Sequence, residues 1–227
     1  MTAAKPVFSK ETFSFLQDLK RNNKKVWMEA NRERYQAALV RPFRKLLEAT
    51  SQPILQIDER FDVCGRKNFS RINRDIRFAK DKTPYRAQMY LKFSVRGRDE
   101  RETGELYIGL SAETVTVGFR IYTGAKRKDS ALAMVAEPRV ANNPQWVAGQ
   151  KRRLGKKYES YWYAMEKGEW RKREGWPTGA EDWKRIRGWI VRRKMKPSAA
   201  VRPDFPREVG KALQEVYPLL KFTSLGE

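Results

Sequence analysis

The stretch ELYIGLSAETVTVGFRIY, Glu105–Tyr122, decides the fold. Apolar residues alternate with polar or small ones, and aromatic and β-branched types dominate, as a pleated strand with one covered face requires. Ala112 and Glu113 interrupt the run, and a break this short fits a hairpin turn between two antiparallel strands. Upstream, YLKFSV (Tyr90–Val95) has the same period and is joined to the first of these strands by the charged, glycine-ending linker RGRDERETG, Arg96–Gly104. Three strands joined in sequence read as an antiparallel meander, with the sheet region placed over residues 88–123. Such a sheet buries one face against a second layer.

The flanking sequence supplies candidates for that layer. Around VFSKETFSFL, Ser9 reads as an N-cap, with Phe8 before it and Phe13 inside forming a hydrophobic staple. The first helix is expected to end near Lys20, and Asn22 and Asn23 break the pattern. KKVWMEANRERYQAAL resumes it with Trp27, Ala30, Arg34 and Ala38 at helical spacing, and Pro42 either bends this helix or starts another carrying Phe43, Leu46 and Leu47. Residues 8–50 are therefore read as helical. Residues 130–227 are also read as helical, and as basic: from Lys151 to Ala200 there are 16 Lys or Arg against 6 Asp or Glu. Thr178 and Glu181 make a capping-box pattern opening WKRIRGWIVRRKM. As a helix, that segment groups Trp183, Ile186, Trp189 and Ile190 on one face and leaves Lys184, Arg185, Arg192 and Arg193 largely elsewhere. PDFPREVGKALQEVYPLL adds a last helix with Val209, Ala212, Leu213 and Val216 as its buried stripe. The expected fold is α+β, a single domain over residues 1–227 with N-terminal helices, a central antiparallel sheet and a C-terminal helical segment.

The charge balance narrows the partners. Forty-nine Lys and Arg against 27 Asp and Glu give a formal charge of +22, so anionic small molecules and nucleic acids are concentrated near the surface. With 40% hydrophobic residues the chain has material for a packed core. There is no histidine and one cysteine, Cys64. Histidine-based triads, the HExxH metalloprotease arrangement, zinc sites and an internal disulfide are thereby excluded. No phosphate-binding GxxxxGK[ST] loop or dinucleotide GxGxxG fingerprint occurs, and no metal or cofactor is expected. The opening TAAKPVFSKETF has no signal-peptide apolar core, and no later run has the length of a membrane span, so the expectation is a cytoplasmic protein without a membrane partner.

One segment concentrates charge out of proportion. RINRDIRFAKDKTPY, Arg71–Tyr85, holds Arg71, Arg74, Arg77, Lys80 and Lys82 against Asp75 and Asp81. As a helix it places Arg71, Arg74, Asp75 and Phe78 on one face. As an extended chain it sends Arg71, Asp75 and Arg77 one way and Ile72, Ile76 and Phe78 the other. Two uses follow. The residues can form an Arg–Asp network that pins the helical layer to the sheet, with Pro84 fixing the turn into the strand. Alternatively the surplus cations, with Arg71, Arg74, Asp75, Arg77, Asp81, Lys82 and Tyr85 as the set, bind a phosphate- or carboxylate-bearing ligand. Catalysis on a phosphorylated substrate is a further alternative and needs the Tyr85 pKa lowered by Lys82 or Arg77. A second location for anions is the basic Trp-rich segment, where Lys184, Arg185, Arg192 and Arg193 suit sequence-independent nucleic-acid binding. There YESYWYAMEKGEW mixes Tyr158, Tyr161, Trp162, Tyr163 and Trp170 with charge, as a base-stacking surface or a buried aromatic face would.

The pattern Arg-x-x-Arg-Asp-x-Arg-Phe-x-x-Asp-Lys-x-x-Tyr, carried by Arg71, Arg74, Asp75, Arg77, Phe78, Asp81, Lys82 and Tyr85, resembles the hallmark of a bacterial conserved-hypothetical family, domain of unknown function 2461. FLQDLKRNNKKVW near the N-terminus is similar to that family's opening, a Phe-Leu helix followed by an Asn-Asn pair and a Trp. The family pattern spans most of the chain. After the last strand the chain departs from it: VGFRIYTGAKRKDS stands where the family leads through a glycine and a tryptophan to a proline. The resemblance implies no particular activity.

Overall fold

A computed structural model describes residues 5–77, 79–97, 104–123, 128, 130–166 and 168–223. Phe78 of the signature and residues 98–103 of the linker lie outside the described residues.

The expected N-terminal helices are present. Helix α1 (Lys10–Arg21) starts after Ser9, and its Thr12 hydroxyl donates to the Ala38 carbonyl at 2.7 Å. Short helices α2 (Lys25–Ala30) and α3 (Arg32–Tyr35) lead into a π turn, Gln36–Val40. Pro42 then sits in the first turn of α4 (Arg41–Ile57), directly after the π turn, and the backbone stays helical through Val40 and Arg41. The helical run continues through the proline, and the Ala38 carbonyl four residues before it accepts the Thr12 hydroxyl instead. Arg34 ties α3 to α1 through Glu11 at 2.5 Å and Asp18 at 2.8 Å.

Strands β1 (Gln88–Phe93), β2 (Glu105–Ser111) and β3 (Val115–Tyr122) form the expected antiparallel meander. The sheet does not stop there. After a π turn (Leu132–Ala136) and helices α5 (Glu137–Asn142) and α6 (Gln145–Leu154) come a hairpin, β4 (Glu159–Glu166) and β5 (Glu169–Glu174), a short helix α7 (Ala180–Arg185) and a ten-residue strand β6 (Ile186–Met195). The six-stranded sheet runs β1-β2-β3-β6-β4-β5, every pairing antiparallel. Helices α8 (Pro197–Ala200) and α9 (Phe205–Thr223) close the chain.

The helical reading of residues 130–227 is corrected in two places. YESYWYAMEKGEW is a β-hairpin, and IRGWIVRRKM is a strand. Ile186, Trp189, Ile190 and Val191 are all buried because β6 is an interior strand, with Ile186, Trp189 and Val191 in the helix-side cluster and Ile190 between Arg120 and Tyr161 in the side-chain layer of the other face. Such a strand carries a continuous apolar run rather than clean alternation. The helix cap also shifts by one residue: the Gly179 N–H donates to Asp182 Oδ2 at 3.2 Å, not Thr178 to Glu181. The last helix is as expected, with Val209, Ala212, Leu213 and Val216 buried.

Helices α1, α4 and α9 pack on one face of the sheet, with Phe15, Leu46, Ile108, Phe119, Trp189 and Leu213 in one apolar cluster. The other face has no helix on it among the described residues. It carries Tyr90, Tyr107, Arg120, Tyr122, Tyr161, Tyr163 and Arg192, which cross-strand register brings side by side.

Candidate functional site: a basic groove and a tyrosine-arginine sheet face

The signature is neither helix nor regular strand. Phe69 bridges Leu91 at the free edge of β1, and Asn73 bridges Tyr85. The Arg86 N–H donates to the Ile72 carbonyl at 2.8 Å and the Arg74 N–H to the Pro84 carbonyl at 2.9 Å. Residues 72–74 and 84–86 thus form the paired, strand-like legs of a narrow loop. The extended alternative describes its first leg: Arg71, Asn73, Asp75 and Arg77 are exposed, while Ile72, Arg74 and Ile76 are half-buried.

Two ion pairs, Arg77 with Asp75 and Arg74 with Asp81, join residues of this loop to one another. Arg77 grips Asp75 in a fork, at 3.0 Å and 2.7 Å. Arg74 donates to Asp81 and to the Thr83 hydroxyl. Lys82 Nζ donates to the Ile76 and Arg77 carbonyls at 3.0 Å and 3.4 Å. Asp81 also accepts the Thr83 N–H at 2.9 Å. That backbone bond, followed by Arg74, holds its carboxyl down at about 2. Asp75 is lowered by Arg77. The link to the helical layer is instead Asn23, which donates to the Tyr85 carbonyl at 2.9 Å and accepts the Tyr85 N–H at 3.0 Å. Tyr85 itself packs against the core.

The seven signature positions therefore divide. Arg71, Arg74, Asp75 and Arg77 line an open groove of about 1860 Å³ that wraps the β1 edge. Asp81, Lys82 and Tyr85 are outside its lining and serve the loop. The groove wall brings in residues the sequence reading did not single out: Arg44, Arg66, Lys67 and Arg86 from the helical layer and loops, and Lys92 and Arg120 from the sheet. Nine Arg or Lys line it against Glu48, Asp62 and Asp75.

Lys92 and Arg120 belong equally to the helix-free sheet face. Arg120 is sandwiched between Tyr90 and Tyr107, its guanidinium carbon 4.7 Å from each ring centre. Burial alone would lower its pKa, but the charge and hydrogen bond of Glu105 outweigh that and raise it. Glu105 is itself buried. One of its oxygens is bound by Arg120, and the other has no hydrogen bond and lies 3.7 Å from Lys92 Nζ. Across the sheet, Arg192 and Lys172 stand 5.0 Å and 4.3 Å from the Tyr161 ring. Tyr122, Tyr163 and Trp170 follow one another at 6.3 Å and 5.9 Å, with Tyr122 37% and Trp170 45% exposed. Burial pushes the Tyr107 phenol upward, against the pull of Arg192 and Arg120. Glycines make the packing possible: a Cβ on Gly109 would lie 2.4 Å from the Tyr90 ring, and one on Gly188 would lie 2.5 Å from the Tyr122 ring. This face needed the β3–β6–β4 register, which no local pattern carries.

The four cations expected to bind nucleic acid do not form one surface. Lys184 pairs with Glu181 at 2.6 Å and Arg185 with Glu166 at 2.7 Å. Arg192 pairs with Glu159 at 2.5 Å on the helix-free face, and Arg193 approaches Glu208 of α9 at 3.9 Å on the other. Trp183 and Trp189 are core residues whose indole N–H groups donate to the Pro177 carbonyl (2.7 Å) and the Ser160 hydroxyl (2.9 Å). Among the described residues no three Cys, Asp or Glu side chains gather as a metal would require, and no helix is long and apolar enough to cross a membrane.

The fold and groove define an α+β protein with helices on one face of an antiparallel sheet and a cation-lined cleft at its edge. The chain belongs to the family described as conserved hypothetical protein (DUF2461), whose pattern matches residues 11–222. No curated protein matches it.

Proposed function

We propose that the protein binds an anionic, phosphate- or carboxylate-bearing ligand in the groove at the β1 edge. The observation that carries this reading is the lining, nine cations against three carboxylates, with Arg71, Arg74 and Arg77 contributed by one loop. Guanidinium groups are suited to this role because their planar fork matches two oxygens of a phosphate or carboxylate at once. Asp75 has a defined place in it. By holding Arg77 in a fork of its own, it is an internal competitor that an incoming anion displaces. The single, exposed Cys64 fits a reducing, cytoplasmic setting, which is part of the proposal.

Thermal melts with and without phosphate or sulfate test it. The parent protein is expected to gain a few degrees at millimolar anion. Arg74→Gln and Arg77→Gln are expected to lose most of that gain, and Asp75→Asn to reach it at lower anion concentration. A parent melting curve indifferent to both anions removes the proposal.

A further inference from the structure

We infer that the helix-free face of the sheet is a stacking surface for single-stranded nucleic acid, with the groove holding the phosphates and Tyr122, Tyr163 and Trp170 receiving the bases. The inference rests on the anion-binding reading of the groove and adds to it a ligand class and a second surface.

The groove and the sheet face are continuous. Arg120 lines the groove and stands two residues before Tyr122 on the same strand, so both side chains project from the same face. From Tyr122 the rings step to Tyr163 and then to Trp170, each about one ring diameter further on. A chain leaving the groove over Arg120 therefore meets three aromatic rings in succession. Across six strands the face spans roughly 24 Å at the usual interstrand spacing, a length that a few nucleotides of an unpaired strand cover.

Cation contacts separate two classes of ring on this face. Tyr90, Tyr107 and Tyr161 already have guanidinium or ammonium groups against them. Among the described residues no cation stands over Tyr122, Tyr163 or Trp170; Tyr122 and Trp170 are two of the four large apolar side chains exposed there, and Tyr163 between them is half-buried. Gly188 leaves the sheet under Tyr122 without a side chain, so the ring lies down over the backbone and presents its outer side.

The choice of occupant follows from charge. A protein partner for an aromatic patch would need no cationic groove beside it. A single nucleic-acid strand carries phosphates and flat bases in alternation, which is what the groove and the rings offer in turn. Aromatic rings with adjoining basic residues on an antiparallel sheet are a general means of holding unpaired bases. A duplex keeps its bases stacked inside, so the rings favour the single strand.

The test uses the full chain and three probes: an oligothymidylate of about fifteen nucleotides, an abasic phosphodiester strand of the same length, and inorganic polyphosphate. Intrinsic fluorescence, compared between the parent and Trp170→Ala, isolates the contribution of Trp170, the exposed one of seven tryptophans. The expected result is that the oligothymidylate binds roughly tenfold tighter than the abasic strand and quenches the emission. Trp170→Ala and Tyr122→Ala, checked by thermal melt, are expected to bring the two strands to equal affinity while leaving polyphosphate binding unchanged. Trp170 sits on the exposed edge strand β5, so that variant folds even if Tyr122→Ala does not. Equal binding of the thymidylate and abasic strands to the parent would overturn the stacking surface and leave the groove standing. Binding of polyphosphate without either strand would do the same. If none of the three binds, both proposals fall.

Discussion

Gly118 stands where β3 passes β6 most closely: a Cβ there would lie 2.1 Å from the Val191 carbonyl oxygen and 2.7 Å from the Arg192 Cα. These are backbone atoms of a paired strand and have nowhere to go. Gly118→Ala is expected to cost about 3 kcal/mol or more, measured by urea unfolding, whereas Gly149→Ala, with nothing near its added carbon, stays near neutral or gains. A second residue-scale device is Asp58, buried at the end of α4, which accepts a fork from Arg60 and the Tyr217 hydroxyl of α9 at 2.8 Å. These bonds, Arg60 first, outweigh burial and lower its carboxyl from 3.8 to about 2. Because the folded pKa is depressed, the stabilisation is complete above a pH of about 4 and is lost as the pH falls through about 2. Asp58→Asn is expected to lose on the order of 2 kcal/mol at neutral pH. Its stability should then vary less than the parent's between those two pH values, which denaturant melts across the acid limb measure.

At the scale of elements, the chain's local patterns were readable to different depths. β2 and β3 announce themselves by alternation and β-branched residues, and α1 by Ser9, which takes the N-cap position without a side-chain cap bond, while Phe8 packs against Phe43 and Phe205. β6 hides because Trp189, Ile190 and Val191 are consecutive and all buried. A run buried on both faces has neither a helical nor a strand period, and the flanking arginines then supply accidental helical spacings. The signature loop was legible as charge but not as a partition between groove and scaffold, since Asp81 and Arg74 meet only once the loop has folded. The loop's own dependence is on Asn23, whose amide completes both backbone bonds of Tyr85. Asn23→Ala is expected to cost about 1–2 kcal/mol. Amide hydrogen exchange in residues 72–86 should accelerate while β2 and β3 keep their protection, and uniform loss of protection would contradict a local role.

The whole molecule carries +22, and although Arg74, Arg77, Lys92 and Arg120 of the groove pair with Asp81, Asp75 and Glu105, the nine lining cations still outnumber these carboxylates. Binding of any polyanion should therefore weaken steeply with salt. For a single strand, the logarithmic slope is expected to shrink by about 0.7 for each arginine that holds a phosphate and is replaced by glutamine. Titrations at several chloride concentrations with Arg71→Gln and Arg77→Gln check this. A slope unchanged by either substitution would mean that phosphates settle elsewhere on the surface.

The strand order places β6, the last strand made, between two that precede it. Until residue 195 has left the ribosome, β3 and β4 each present an open, apolar edge, and the two halves of the sheet have no backbone bonds between them. Nascent chains arrested before β6 are thus expected to depend on chaperones and to aggregate. Refolding should wait on a late, long-range insertion step, placing the protein among slow-folding topologies. Conversely, the peptide Ile186–Met195 is the piece whose arrival joins the meander to the hairpin. Supplied in trans to a chain truncated before it, the fragment of residues 186–227, which also carries α9, is the one expected to restore a continuous, covered sheet.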